Sequence, residues 1–310
     1  MRLTIITINR NNLDGLKLTA RSILAQQCQE FQWVVIDGAS LDGSVEFMKS
    51  LHREKMVFLS EPDTGIYNAM NKGVQYATGE YCLFINSGDA LYSPQSASLC
   101  LQTLEQQPQV DIFRFAVENQ LNQRILSVAH PAQEKEIRTG LFLLTHGIAH
   151  QGAVIRRSLL LDYPYDESFK ICADYDFFLH CYLHKPIQDA PVDQILSLFD
   201  CSGISSTNPE LLRKEMERAF VQQTSRVIYQ DYWRFFKGGT LLEKVVVRLK
   251  RSPFFSFLAL LSLLPVYLLH CAKALIVNFP AYLRRLREYN SRKRRSTNTP
   301  PLKKRRNLEI

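Results

Sequence analysis

The chain has 310 residues, 46% of them hydrophobic, which excludes a chain without a packed core and fits one main domain with an appendage. Its seven cysteines, at 28, 82, 100, 172, 181, 201 and 271, include no C-x-x-C pair, so they argue against a disulfide framework or structural zinc and for a reducing cytoplasm. The net charge of +8 averages two unlike parts, since residues 1–242 carry 22 Lys and Arg against 27 Asp and Glu, and residues 243–310 carry 16 against 3.

No targeting segment is expected ahead of the first strand, Arg2-Leu-Thr-Ile-Ile-Thr-Ile8, which is rich in β-branched residues and breaks at Asn9-Arg-Asn-Asn. A helix is predicted next, with Leu13, Leu16, Leu18, Ile23 and Leu24 as its apolar face. A second strand then covers Gln32-Trp-Val-Val-Ile36 and ends at Asp37-Gly-Ala-Ser. Val45, Phe47, Met48 and Leu51 mark another helix after Ser40-Leu-Asp-Gly-Ser44. Met56 to Leu59 reads as a third strand, residues 66–77 as a helix, and Tyr81 to Ile85 as a fourth strand. This alternation predicts an α/β fold, a mostly parallel sheet with helices on both faces.

The fourth strand runs into Asn86-Ser-Gly-Asp89, behind a glycine-punctuated helix that opens at Glu61-Pro-Asp-Thr-Gly. A carboxylate at the end of a buried strand stands where open α/β sheets bind ligands, and its hard oxygens suit a divalent ion. The same four residues also make an ordinary turn. No G-x-G-x-x-G follows the first strand, which argues against a dinucleotide-dependent oxidoreductase. Three segments, Val-Val-Ile-Asp37-Gly-Ala-Ser-Leu-Asp42-Gly-Ser, Glu61-Pro-Asp63-Thr-Gly-Ile-Tyr-Asn-Ala-Met-Asn71-Lys-Gly73 and Asn86-Ser-Gly-Asp89, together resemble the inverting, GT-A-fold glycosyltransferases of family 2. The resemblance covers roughly residues 1–205, closely to about 92, and within the family points to enzymes of bacterial exopolysaccharide and capsule assembly, including the colanic-acid type. It implies that residues 1–92 bind a nucleotide sugar and that residues 93–205 form the acceptor side.

By that resemblance Asp89 matches the last aspartate of the metal-binding Asp-x-Asp element, implying Mg²⁺ or Mn²⁺ shared with the donor diphosphate. Ser87 stands where the first aspartate belongs, so the site offers one strong charge instead of two. Asp37 would accept a hydrogen bond from the nucleotide base, and Asn9, Asp63 and Ser87 would also face a UDP- or GDP-linked donor. Asp42 could instead cap the following helix, and Asp63 sits in a Pro-Asp-x-Gly turn that also has a conformational use.

The second half must supply a base for the acceptor hydroxyl, and Ile171-Cys-Ala-Asp174-Tyr-Asp176-Phe-Phe-Leu-His places two acids at the opening of an apolar helix. Asp174 aligns with the family's catalytic aspartate. The glutamate that normally precedes it is Ala173, which leaves Asp176 as the rival, while both acids could merely complement the helix dipole. His150-Gln-Gly-Ala-Val-Ile-Arg-Arg157 reads as a strand led by a polar pair, with His150 either a substrate contact or simply bonded to backbone. Ser202-Gly-Ile-Ser-Ser-Thr207 is either a loop over the donor or an exit from the domain, and residues 206–242 read as a helical connector.

Phe254 to Ala272 is a 19-residue run without a formal charge, just long enough to span a bilayer. Lys and Arg flank it on both sides, which fits a surface or re-entrant helix over 243–290 better than a single crossing, with a buried hairpin of a soluble domain as the alternative. Residues 291–310 read as a disordered basic tail, and without interleaved aromatics nucleic acid is not an expected partner. The sequence therefore reads as a transferase acting on a lipid-linked or growing saccharide acceptor at the cytoplasmic face of the plasma membrane, an anionic surface. A noncatalytic nucleotide-sugar-binding or scaffold protein is the alternative.

Overall fold

The computed structural model describes residues 1–122, 124–132 and 140–237. The expected membrane-associating region 243–290 and tail 291–310 lie outside the described residues. So does Cys271; the other six cysteines are free thiols. Among the described residues, no helix is long and apolar enough to cross a membrane.

Strands β1 (Leu3–Asn9), β2 (Gln32–Asp37), β3 (Met56–Ser60) and β4 (Tyr81–Phe84) pair in parallel. Helices α1 (Leu13–Leu24), α2 (Ser44–Ser50) and α3 (Ile66–Tyr76) connect them. Because side chains alternate along a strand, each strand feeds two cores. Leu3, Ile5, Trp33, Val35, Tyr81 and Leu83 pack with α1, whereas Ile6, Ile8, Val34, Ile36, Cys82 and Phe84 pack with α3. A strand buried on both faces reads as a continuous apolar run, as β1, β2 and β4 do, while β3 at the sheet edge is half-buried. Gly73 lets α3 lie directly on β1, since a Cβ there would collide with the Ile6 side chain.

The face of α1 differs from the expected one. Leu18 and Leu24 are exposed, and the buried positions are Leu16, Thr19, Ala20 and Ile23. Thr19 occupies an inward position because its hydroxyl bonds the carbonyls of Asn86 and Asp89, at 3.1 and 2.6 Å.

The second half extends the sheet in a mixed sense. The full order is β3-β2-β1-β4-β8-β6-β9-β5, with β7 paired to β6. Here β5 is Ala90–Leu91, β6 Ile112–Leu121, β7 Arg124–Ala129, β8 Ala153–Arg156 and β9 Asp189–Asp200. The parallel character expected from the first ninety residues holds for β1 to β4, and β8 runs antiparallel to both β4 and β6. The strand expected over 150–157 is shorter, because His150–Gly152 form a 3-10 turn that leads into β8. A buried bidentate ion pair between Arg114 and Asp189, at 2.7 and 2.8 Å, ties β6 to the start of β9.

The remaining helices are α4 (Ser96–Gln106), α5 (Gly140–Thr145), α6 (Arg157–Asp162), α7 (Ala173–His184), α8 (Ile204–Thr207), α9 (Pro209–Gln223) and α10 (Arg226–Lys237). Nearly every side of α7 is buried, by Tyr175, Phe177, Phe178, Leu179 and Cys181 among others. Residues after 205, expected as a connector, belong through Tyr232 to the same compact unit as the sheet. Their attachment is specific, since the buried Glu215 of α9 accepts the backbone N–H groups of Lys170 and Ile171, both at 2.9 Å, just ahead of α7.

Candidate active site

After β1 the chain builds outward to β2 and β3, then returns to place β4 on the other side of β1. Ligands of open α/β sheets bind outside the strands' carboxyl ends at such a reversal. The ladder between β1 and β4 continues past Phe84, with Ser87 N–H bonded to the Ile8 carbonyl at 3.1 Å. This brings Asn86–Asp89 beside Asn9, and a cleft of about 700 Å³ opens there, lined among others by Asn9, Asp63, Asn86, Asp89, His150 and Asp174.

Asp37 does not line this cleft. It is fully buried, and its two oxygens accept hydrogen bonds from Asn9 Nδ2 (2.8 Å), Ser40 Oγ (2.6 Å), Ser40 N–H (2.9 Å) and Ser60 Oγ (2.8 Å). About four acceptor positions are available on a carboxylate, and within the fold all are occupied, one of them by Asn9. Asn9 lines the cleft and its buried Oδ1 has no partner among the described residues. Asp42 caps two helices at once, accepting from Leu13 N–H at 2.7 Å and Ser44 N–H at 3.1 Å. Asp63 faces the cleft, its Oδ1 accepting from Gly65 N–H at 3.1 Å and from the exposed Arg10 at 3.3 Å.

In the loop after β4, Gly88 takes φ +105°, a backbone region that side chains disfavour. Ser87 is held by Asn12, the cap of α1, whose Nδ2 donates to the Ser87 carbonyl and hydroxyl at 3.1 and 3.3 Å. Asp89 is 5% exposed, and accepts from Asp200 N–H at 3.0 Å and Gln151 Nε2 at 3.2 Å. Burial pushes its carboxyl up to about 6, partly opposed by those two hydrogen bonds and by His150. No Lys or Arg pairs with it among the described residues. Asp200, which closes β9, was not anticipated. It lines the cleft and bonds Asp89 through its backbone N–H, and its own oxygens accept from Ser202 N–H and Oγ.

On the other side of the cleft chemistry, the two acids of α7 separate. Asp176 is 2% exposed and anchors α9, accepting from Tyr163 O–H at 3.0 Å and Gln223 Nε2 at 2.9 Å, and it does not line the cleft. Asp174 does. Its Oδ1 accepts from Tyr67 O–H (3.0 Å) and Tyr175 N–H (2.9 Å), and its Oδ2 accepts from His150 Nδ1 (2.9 Å). Burial and the Asp174 charge push the Tyr67 phenol well above its ordinary range, so it remains a donor. Burial would lower the His150 pKa, but its hydrogen bond to Asp174 and the charges of Asp174 and Asp89 outweigh that and raise it. His150 Nε2 lies 3.2 Å from Asn86 Nδ2. Ser202, Gly203, Ile204 and Ser205 also line the cleft, which places that segment at the site and not at an exit.

Tyr67 and Gln151 lay inside recognised segments, but nothing in their local sequence announced a partner 107 or 62 positions away. For Asp200 the available signal was an acid ending an apolar strand, followed by Cys-Ser-Gly.

The glycosyl transferase family 2 model matches residues 4–163. An uncharacterized glycosyltransferase of Mycobacterium tuberculosis is 28% identical over 206 residues, which is 66% of this chain and 76% of that protein. A PGL/p-HBAD biosynthesis glycosyltransferase of Mycobacterium bovis is 26% identical over 193 residues, 60% of this chain and 72% of that one. TarS of S. aureus, crystallised in complex with UDP-GlcNAc, shares the fold at a TM-score of 0.56 and 18% identity. The match covers 72% of this chain and 66% of the TarS chain, so this chain spans just under two thirds of that structure. With the family model covering more than half its length, the chain belongs to glycosyl transferase family 2.

Proposed function

We propose that the protein transfers a sugar, with inversion, from a UDP- or GDP-linked donor to a hydroxyl of a saccharide or lipid-linked acceptor. One observation carries the reading: the buried Asp89 and the partly exposed Asp174 line the same cleft and are joined through Asn86 and His150. Asn9 and Asp63 contact the donor, with Asp37 acting through Asn9. Asp174 is the base. It takes the proton of the acceptor hydroxyl as that oxygen attacks the anomeric carbon and the bond to the diphosphate breaks, its electron pair leaving on the diphosphate oxygen.

Asp89 is a buried carboxylate that burial alone raises toward neutrality, and Asp200 adds a second acid beside it, a donor set that fits Mg²⁺ or Mn²⁺. Asp89 and Asp200 would hold such an ion together with the donor's own diphosphate. Bound there, the ion supplies charge neutralisation for the leaving diphosphate.

The acceptor side of the proposal is surface polysaccharide assembly at the cytoplasmic face of the membrane. It is supported by the dense positive charge and uncharged run within residues 243–310, and by the relative that works in PGL/p-HBAD biosynthesis. Calorimetric titration of the full chain with UDP and with GDP, each with Mn²⁺ and with chelator, tests the donor reading. Metal-dependent binding of one nucleotide is the expected result. Binding of neither would shift the case to a noncatalytic scaffold or to a donor with another base.

A further inference from the structure

Asp174 has three of its four acceptor positions filled: two on Oδ1, by Tyr67 O–H and Tyr175 N–H, and one on Oδ2, by His150 Nδ1. The open position is therefore on Oδ2, the oxygen held by His150. The imidazole is in turn fixed at its far nitrogen by Asn86, the first residue of the loop that carries Asp89. The chain of contacts runs from the donor-side loop through the ring to the base, and a second arm reaches the same carboxylate from Tyr67 on α3.

Resting on the transferase reading above, we propose that His150 is a positioning residue for the base. It aims Asp174 Oδ2 at the acceptor hydroxyl and sets that aim from the Asn86–Asp89 loop. In the transfer, the hydroxyl O–H bond breaks and its proton goes to the open position of Oδ2. The ring neither gains nor loses a proton; its Nδ1–H keeps the carboxylate in one rotamer while the charge on Oδ2 is consumed. Fixing a catalytic group within hydrogen-bond reach is worth large factors in rate even when the fixing residue never touches substrate.

This role is separable from donor binding and from folding. The full chain is titrated with UDP and GDP in Mn²⁺, and its turnover of UDP-GlcNAc and GDP-mannose is followed as release of nucleoside diphosphate, water serving as acceptor where no saccharide is supplied. His150→Ala is expected to lower kcat about 10- to 100-fold, with nucleotide Kd and donor KM changed less than about threefold. His150→Asn, which returns an N–H near the position of Nδ1, is expected to recover at least about fivefold over His150→Ala, and its melting temperature checks that the fold is kept. The inference is overturned by a His150→Ala variant with parental kcat, by His150→Asn no faster than His150→Ala, or by a loss that appears in Kd as much as in kcat. A parent protein that binds neither nucleotide would overturn the transferase reading itself, a result separate from all three.

Discussion

Asp174→Asn isolates the base from everything it holds together. The replacement amide has the same shape, so its oxygen still accepts from Tyr67 O–H and Tyr175 N–H, but its NH₂ now faces the Nδ1–H of His150. The ring relieves this conflict by moving its proton to Nε2, and Asn86 follows by turning its own amide. The Asn86 Oδ1, which has no partner among the described residues, then accepts a hydrogen bond from the Nε2–H. One hydrogen bond is exchanged for another along the chain, so the stability change is expected to stay within about 1 kcal/mol. The rate is another matter, because an amide cannot take the acceptor's proton. Loss of a positioned general base lowers turnover about 10²- to 10⁴-fold, roughly 3–5 kcal/mol in the barrier. The assay is nucleoside diphosphate release from the donor that binds, with calorimetric Kd measured on the same preparation. Parental turnover with intact binding would refute the assignment of Asp174, while equal loss of binding and turnover would move it to the donor site.

Asp89→Asn bears on pH. With its folded pKa at about 6 against an ordinary 3.8, Asp89 costs the metal-free protein stability that grows as pH rises between those values, to about 3 kcal/mol above pH 6. In chelator the variant should therefore unfold later than the parent at pH 8 and equally at pH 3.5, while losing Mn²⁺-dependent nucleotide binding; no pH-dependent difference in thermal melts would refute the burial argument. Gly38→Ala places a Cβ against Asp63 Oδ2 and is expected to raise nucleotide Kd about tenfold, the worth of one charge-assisted hydrogen bond, with kcat retained. An unchanged Kd would remove Asp63 from the donor contacts. Asp189→Ala leaves the Arg114 guanidinium buried and unpaired and should cost about 3–5 kcal/mol in urea denaturation, far from any effect on nucleotide affinity. Removing residues 243–310 should abolish co-sedimentation with anionic vesicles, each basic residue near such a surface contributing about 1 kcal/mol; a truncated protein that still pellets with them argues against anchoring by this region.

What the sequence made legible follows from how locally each feature is encoded. The strands β1 to β4 could be placed within a residue or two because burial of β1, β2 and β4 on both faces, and partial burial of the edge strand β3, write apolar runs, and the loops at their carboxyl ends announce themselves by Asn, Gly, Ser and Asp. The cleft was legible for the same reason, since strand ends at a reversal of strand order are where it must lie. The division of labour among the acids was not. Asp37 and Asp63 look alike in sequence, each with a glycine one or two positions on, yet Ser40 and Ser60 saturate one and leave the other facing the cleft. Asp174 and Asp176 are two residues apart on one helix, and a turn of about 100° per residue sends them to opposite environments, which only the positions of Tyr163 and Gln223 decide.

Asp200 makes the same point about compensation. Read along the chain, Ser87 removes half of the expected acidic pair, and nothing near it restores the charge. In space the sheet order puts β9 and the short β5 together, so the end of β9 meets the residue just ahead of β5, and the Asp200 N–H bonds to Asp89 Oδ1 across a separation of 111 positions. A local motif is one way to bring two carboxylates to a diphosphate; a strand end delivered by the other half of the sheet is another, and it leaves no local signature. If Asp200 carries that charge, Asp200→Asn should weaken Mn²⁺-dependent nucleotide binding to the same degree as Asp89→Asn, and Ser87→Asp should restore part of the loss. Intact metal dependence in Asp200→Asn would show that Asp89 with the diphosphate suffices and that Asp200 serves only to hold Ser202.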